Sequence, residues 1–319
     1  MKRIIIAILI GLLVPPPAVF GANCGGVVPC VCGDTVTSDY TLAGDLACTN
    51  AGNALNVGAN NITIDLAGRT ISGDDTNTVV GIDNNGFTGI TILNGIIRDT
   101  TTSGTDMRGA STGVISDVTC TSTGNQGFQN QGTANFVYTN IVGTDNVDDG
   151  FSMHDDSVAT IITGTFSGND QGINIIANSN LTGSNIVLSG NTTTSFYPTA
   201  STGGLTASLD TLSADTPVNL DAGVVTITGL TSTEGGVQIG TATVTIVDFA
   251  ITATTARALD QVGAATSQLS RGTITGAVDT NGAVIGCAAG TLHLSQIDAT
   301  GSAAGRQSIL VTGGTLTAD

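Results

Sequence analysis

Apolar and polar residues alternate along most of this chain, and no stretch beyond residue 22 keeps the three-to-four spacing of an amphipathic helix. A longer phrase recurs within the alternation: apolar-x-apolar-x-x-apolar-x-apolar. Val244-x-Ile246-x-x-Phe249-x-Ile251 and Leu292-x-Leu294-x-x-Ile297-x-Ala299 are full copies. Ile90-x-Ile92, Ile161 with Phe166, and Val225-x-Ile227-x-x-Leu230 keep the same frame. Each unit thus offers two or three short strands bent around an apolar interior.

The units repeat. Gly127, Gly150 and Gly172 each open a short alternating run, and they stand 23 and 22 residues apart. Further openings fall near Ala54, Gly81, Asp106, Ser195, Pro217, Gly236, Ala258, Gly282 and Ala304, most at intervals of 19 to 25 residues. A period in this range marks units that bury their apolar faces only by stacking on neighbours. The expected fold is all-β, a right-handed parallel β-helix of about 11–12 coils. A propeller needs about 40 residues per blade, and the regular Leu and Asn positions of a leucine-rich repeat are absent. An antiparallel sandwich is the alternative.

Composition agrees with many strands and tight turns. Of 319 residues 44 are Gly, 3% are aromatic and 10% charged, against about 25% charged in ordinary soluble domains. Glu234 is the single Glu among 25 acids, so nearly all the negative charge is on Asp, a turn former. The formal net charge is −17. Such a surface argues against nucleic acid, which needs clustered Lys and Arg, and weakens the case for an acidic polysaccharide. It favours Ca²⁺, and it also serves simply to keep an extracellular protein in solution.

The ends carry their own signals. Residues 1–22 are expected to be a secretory signal, with Lys2 and Arg3 ahead of an apolar run from Ile4 to Val14 that is too short to span a membrane. Residues 23–52 then form a cap, tied by two disulfides among Cys24, Cys30, Cys32 and Cys48. Spacing does not fix their connectivity; the preferred pairing is Cys24 with Cys30 and Cys32 with Cys48. Cys120 and Cys287 lie about eight coils apart, ~38 Å at one strand spacing per coil, so they are expected to be buried free thiols. Repeats fill 53–319 and run to Asp319 without a recognisable cap, which leads us to expect a fragment, self-association or a further chain at that end.

The segments Cys32-Gly33-Asp34-Thr35-Val36-Thr37, Leu42 to Cys48 and Asn60-Asn61-Ile62-Thr63-Ile64-Asp65-Leu66-Ala67-Gly68-Arg69-Thr70-Ile71-Ser72-Gly73 resemble the opening of exported NosD-like proteins. These belong to the wider pectate-lyase-like group of β-helices that bind or cleave carbohydrate. The resemblance is close over about forty residues and elsewhere extends only to the repeat pattern. It implies a right-handed parallel β-helix outside the cytoplasm, secreted, periplasmic or at the cell surface. It leaves activity open, because the scaffold hosts lyases, hydrolases, epimerases and adhesins.

Aligning the three central units on their glycines sorts neighbouring residues into rows. Two places before stand Asn125, Asp148 and Asp170; one before, Gln126, Asp149 and Gln171. Two places after stand Gln129, Ser152 and Asn174; four after, Gln131, His154 and Ile176. With Phe128, Phe151 and Ile173 inward, the two-residue period turns Ser152 and His154 outward. Asp148, Asp149, His154 and Asp170 are then the candidate catalytic groups, and Gln129, Ser152 and Asn174 the candidate substrate-binding ones. Paired carboxylates suit acid and base in glycoside hydrolysis. Alternatively Asp148, Asp155, Asp156 and Asp170 bind Ca²⁺ while His154 moves a proton, as in a lyase or epimerase. Asn146-Val147-Asp148-Asp149-Gly150-Phe151 resembles the paired-Asp motif of polygalacturonase-type hydrolases, but their Gly-His-Gly and Arg-Ile-Lys do not follow. Met153-His154-Asp155-Asp156 is distantly similar to the Asp-Pro-His-Asp of alginate epimerases and lacks its Pro. Asp and Asn are also ordinary turn residues, which stacked coils would repeat without any chemistry. His293, in the row of Thr245, is expected to face solvent. The sequence therefore supports an exported β-helix that binds or processes extracellular polysaccharide, with a structural or adhesive surface module as the alternative.

Overall fold

The computed structural model describes residues 21–49, 51–199, 205–253, 258–276, 284–301 and 309–319. The signal expected before Gly21 and the unit openings expected at Gly282 and Ala304 lie outside them. The described residues contain no helix and form two 14-stranded sheets. One sheet has short strands, from Asn23–Cys24 through Leu55–Val57, Val80–Asn85, Ser103–Arg108, Phe128–Asn130, Asp149–Met153, Gln171–Ile176 and Thr194–Thr199 to Ile309–Val311. The other has long strands, typified by Asn135–Thr144, Val158–Ser167 and Asn180–Ser189. Within both sheets neighbouring strands are parallel, each paired with its counterpart one coil away. The chain is a parallel β-solenoid of about 11 turns.

The doubled x of the sequence phrase has a physical cause. From Ile90–Arg98 to Thr291–Gly301 each long strand is broken once by a residue in the left-handed region, and these residues stack: Asn94, Asp117, Asn140, Thr163, Asn185, Thr211, Gly229, Asp248, Arg271 and Gln296 all have φ between 52° and 72°. One left-handed residue turns the strand a corner and consumes a position without changing which face points inward. In Val244–Ile251 that residue is Asp248, and in Leu292–Ala299 it is Gln296. Asn and Asp tolerate this conformation better than most residues. Further left-handed positions make the other two corners, among them Asp99, Ser122 and Asp145 before the short strand and Gly109, Gly132 and Asp155 after it.

The glycine row is real, with one adjustment. Gly81, Gly104, Gly127, Gly150 and Gly172 stack at the beginnings of the short strands, so the third expected opening falls at Gly104 and not at Asp106. None of these glycines has a positive φ. Space is what requires them. A Cβ on Gly150 would lie 2.8 Å from both Asn169 Nδ2 and the Gly172 carbonyl, and one on Gly127 would meet Asn146 Nδ2 and the Gly150 carbonyl at the same distance. The amides belong to a buried ladder. Asn146 N–H and Nδ2 both donate to Asn169 Oδ1, at 3.0 and 2.9 Å, and Asn169 N–H and Nδ2 donate to Asn191 Oδ1, at 3.1 and 3.2 Å. Thr123 caps the ladder through Asn146 Oδ1.

Phe128, Phe136, Tyr138, Phe151, Phe166 and Phe196 fill the interior beside stacked Ile, Leu and Val. Tyr138 and Phe151 meet edge to face at 4.8 Å between ring centroids. Cys24 pairs with Cys30 and Cys32 with Cys48, as preferred, and Cys120 and Cys287 are buried free thiols. The parallel sheet reaches back into the disulfide-tied segment, where Asn23–Cys24 pairs with Asp34–Val36 and that strand with Leu55–Val57. No helix among the described residues is long and apolar enough to cross a membrane.

Removing one rung of the ladder strands several buried donors and acceptors at once. Asn169→Ala should lower unfolding stability by about 3 kcal/mol, while Asp156→Ala, at an exposed turn, should change it by about 0.5 kcal/mol or less. Urea unfolding of the two variants beside wild type measures the contrast, and equal effects would contradict the role given to the ladder.

Candidate functional site

Outward side chains of the short-strand sheet stack into ladders because the register is exact from coil to coil. One ladder runs Asn56, Asp83, Asp106, Gln129, Ser152, Asn174, Tyr197. A second, two residues further along each strand, holds Asn85, Arg108, Gln131, His154, Ile176 and Thr199. Asp149 and Gln171 pair in a third, at the start of their strands.

Four of the expected residues lie together, bonded in two pairs: Ser152 with His154 and Asn174 with Asp149. Ser152 Oγ lies 3.0 Å from His154 Nε2, and Ser152 stands near enough to the Asp149 carboxyl to lower its pKa. Asn174 Nδ2 donates to Asp149 Oδ2 at 3.3 Å. Asp149 is 1% exposed and Ser152 fully buried, while His154 is half-buried at the outer end of the group. Burial pushes the Asp149 carboxyl up to about 7, reinforced by the negative charges of Asp148 and Asp170 and opposed by Ser152 and Asn174. Burial also lowers the His154 pKa, against the pull of Asp155 and Asp148. Near neutral pH a part-protonated acid thus lies beside a hydroxyl that is bonded to a neutral imidazole, an arrangement suited to moving a proton. Asp149 Oδ1 is buried with no hydrogen-bond partner.

The other expected residues are placed differently. Ser152 points outward as expected but cannot itself touch a substrate: its short side chain is buried between the longer Gln129 and Asn174 of the adjoining coils. Gln129 Oε1 accepts from Ser103 Oγ at 3.3 Å. Asp148 and Asp170 do fall on neighbouring coils, but each carboxylate has its own partner, Gln126 Nε2 at 3.2 Å and Thr192 Oγ1 at 2.8 Å. Asp155 and Asp156 lie at the opposite end of the strand Asp149–Met153, about 17 Å away at the rise of an extended chain. There Asp155 makes a left-handed turn and accepts from Gly132 N–H, and Asp156 accepts from Asn178. The four carboxylates expected to share a Ca²⁺ do not converge, and among the described residues no group of three or more His, Cys, Asp or Glu is placed to hold a metal ion. His293 is exposed on the long-strand sheet beside Thr317, in the row of Thr245.

A second charged group lies on the same face and went unnoticed in the sequence. Arg108 Nη2 and Nε lie 2.5 and 3.0 Å from Asp83 Oδ1, and Nε lies 3.3 Å from Asp106 Oδ2. Gln131 Nε2 donates to Asp106 Oδ1 at 2.8 Å. Burial still pushes the Asp106 carboxyl up to about 6, against Gln131 and Arg108. The available signal was positional: Asp83 and Asp106 stand two residues past Gly81 and Gly104, as Gln129 and Ser152 do past their glycines. Opening that coil at Asp106 hid the correspondence.

No protein-family model matches the sequence, and no curated protein does. Among solved structures, the A-module of mannuronan C-5 epimerase AlgE4 from Azotobacter vinelandii is similar, at 18% identity and TM-score 0.55 over 93% of this chain and 88% of that one. The AlgE6 A-module of the same organism is similar at 14% identity and TM-score 0.47, over 92% and 86%. These likenesses are of fold: the chain is built as a parallel β-helix.

The raised Asp149 pKa has a sign that can be measured. The folded protein holds this proton more tightly than the unfolded chain, where an Asp titrates near 3.9, so ionising Asp149 costs stability as pH rises from about 4 through 7. Wild-type stability relative to Asp149→Asn should therefore fall steadily over that window, even where His154, with its lowered pKa, contributes the opposite slope to both proteins. Urea unfolding of the two at a series of pH values tests this, and a pH-independent difference would contradict it.

Proposed function

We propose that this is an exported β-helix protein that binds and processes a polysaccharide laid across the short-strand sheet, with His154, Ser152 and Asp149 moving a proton at the bond being changed. The observation that carries the reading is the Ser152 bond to half-buried His154 beside the buried Asp149 carboxyl. His154 is the member that reaches the face, so it is the group that exchanges a proton with substrate. Asp149, poised near neutrality, is the reservoir behind it. One imidazole backed by one buried acid suits proton abstraction or leaving-group protonation, as in a lyase, epimerase or hydrolase. Support also comes from the similar fold of a module named for acting on mannuronan, and from the NosD-like opening. The apolar leader and the disulfides fit an oxidising compartment outside the cytoplasm.

A second reading, a structural or adhesive surface module, draws on the turns. Asp155, Asp156 and Asp170 all bond to the adjacent coils and serve the solenoid without any reaction.

Turnover of a broad panel of polysaccharides, measured with and without added Ca²⁺, separates the two. His154→Ala and Asp149→Asn should each cost a hundredfold or more in turnover, on the order expected for losing a proton-transfer group, with the melting temperature of His154→Ala close to wild type. Failure of the wild-type protein to turn over any glycan would favour the adhesive module.

A further inference from the structure

Tyr197 extends the ladder of Gln129, Ser152 and Asn174 by one rung. The aromatic rings on the neighbouring positions, Phe128, Phe151 and Phe196, point into the core and are fully buried. Tyr197 points the other way and is half-buried on the outer face. The Asp221 carboxylate, just past the strand Val218–Leu220 of the adjoining coil, lies near enough to raise the Tyr197 pKa, after burial as the larger cause. A chain with 3% aromatic residues thus holds a ring in register with its proton-transfer site.

Charge on this face narrows what can lie there. Asp148, Asp149, Asp170, Asp83 and Asp106 surround it, and Arg108 is the single Lys or Arg in any described strand of the short-strand sheet. Arg108 is already committed to Asp83 and Asp106. A polyuronate would bring one carboxylate per sugar to a face with no uncommitted cation, at a cost in repulsion and desolvation. An acceptor-rich, cation-poor face is complementary to hydroxyl donors. The rungs repeat at about 4.8 Å, close to the repeat of an extended pyranose chain.

We propose that the face from Gln129 to Tyr197 binds an uncharged glycan along the solenoid axis, about one sugar per rung, with Tyr197 as a stacking platform two rungs from His154. It rests on the reading above only in setting the reaction at His154. Apolar sugar faces pack on the Tyr197 ring while hydroxyls turn toward the polar ladder, so the site selects a neutral polymer over a charged one.

Titration calorimetry with short mannan, xylan and glucan oligosaccharides, beside oligomannuronate and oligogalacturonate, tests this. An uncharged oligosaccharide should bind most tightly, with Tyr197→Ala weakening it about tenfold and Tyr197→Phe by about twofold or less. Tighter binding of either uronate than of every neutral sugar would overturn the substrate class, and equal binding by wild type and Tyr197→Ala would overturn the stacking subsite. Loss of turnover in His154→Ala with no effect of Tyr197→Ala upholds the reaction site alone. A Tyr197→Ala effect on binding with no turnover anywhere upholds the subsite alone. Binding of no glycan at all would sink both.

Discussion

The amides of Asn146, Asn169 and Asn191 lock each coil to the next from inside the solenoid. Each Asn169 and Asn191 oxygen accepts twice from the coil before it, and the Nδ2 groups of Asn169 and Asn191 reach the Gly143 and Phe166 carbonyls at 3.0 and 3.1 Å. Such a ladder works only at one register, because a shift by a single residue would place an amide where a backbone bond or a core side chain belongs. It also needs room, which Gly127, Gly150 and Gly172 provide by having no Cβ. The glycines and the asparagines are therefore two halves of one device, which sets the register of the short strands from Phe128–Asn130 to Gln171–Ile176.

That register builds the outer face as well. Because strand starts are fixed, Asp149 falls level with Gln171, and Ser152 with Gln129 and Asn174. Parallel in-register stacking brings like with like, so carboxylates such as Asp148 and Asp170 accumulate on neighbouring coils, and their charge helps hold the Asp149 proton. The raised pKa of Asp149 is thus a consequence of solenoid geometry acting on a sequence rich in Asp, with burial as the larger cause.

Much of this was legible in the sequence because the solenoid is close to one-dimensional. The spacing of Gly127, Gly150 and Gly172 sufficed to align the rows, and the register pairs confirm them residue for residue around Ser152. What escaped was everything that depends on side-chain reach and cover. Ser152 alternates outward yet is fully buried, a fact about its longer neighbours and not about its own position. Asp155 and Asp156 lie close to Asp148 in sequence but a strand's length away in space, because an extended segment separates its ends as far as a chain can. Asn146 looked like one more polar residue of an acidic cluster; only the Asn169 and Asn191 partners one and two coils on show it to be core.

The length of the short strands limits where such a face can exist. From Val80 to Thr199 these strands run five or six residues, the exception being Phe128–Asn130 with three; those of six carry outward positions on both ladders, and Asp149–Met153 ends one residue before His154. From Val218–Leu220 onward they contract to three residues each. The change coincides with the end of the amide ladder at Asn191 and with the replacement of the row glycine by Ser195 and then Pro217. The broad outer face therefore ends about where Tyr197 stands, and the length of the short strands sets how many rungs a ligand can span.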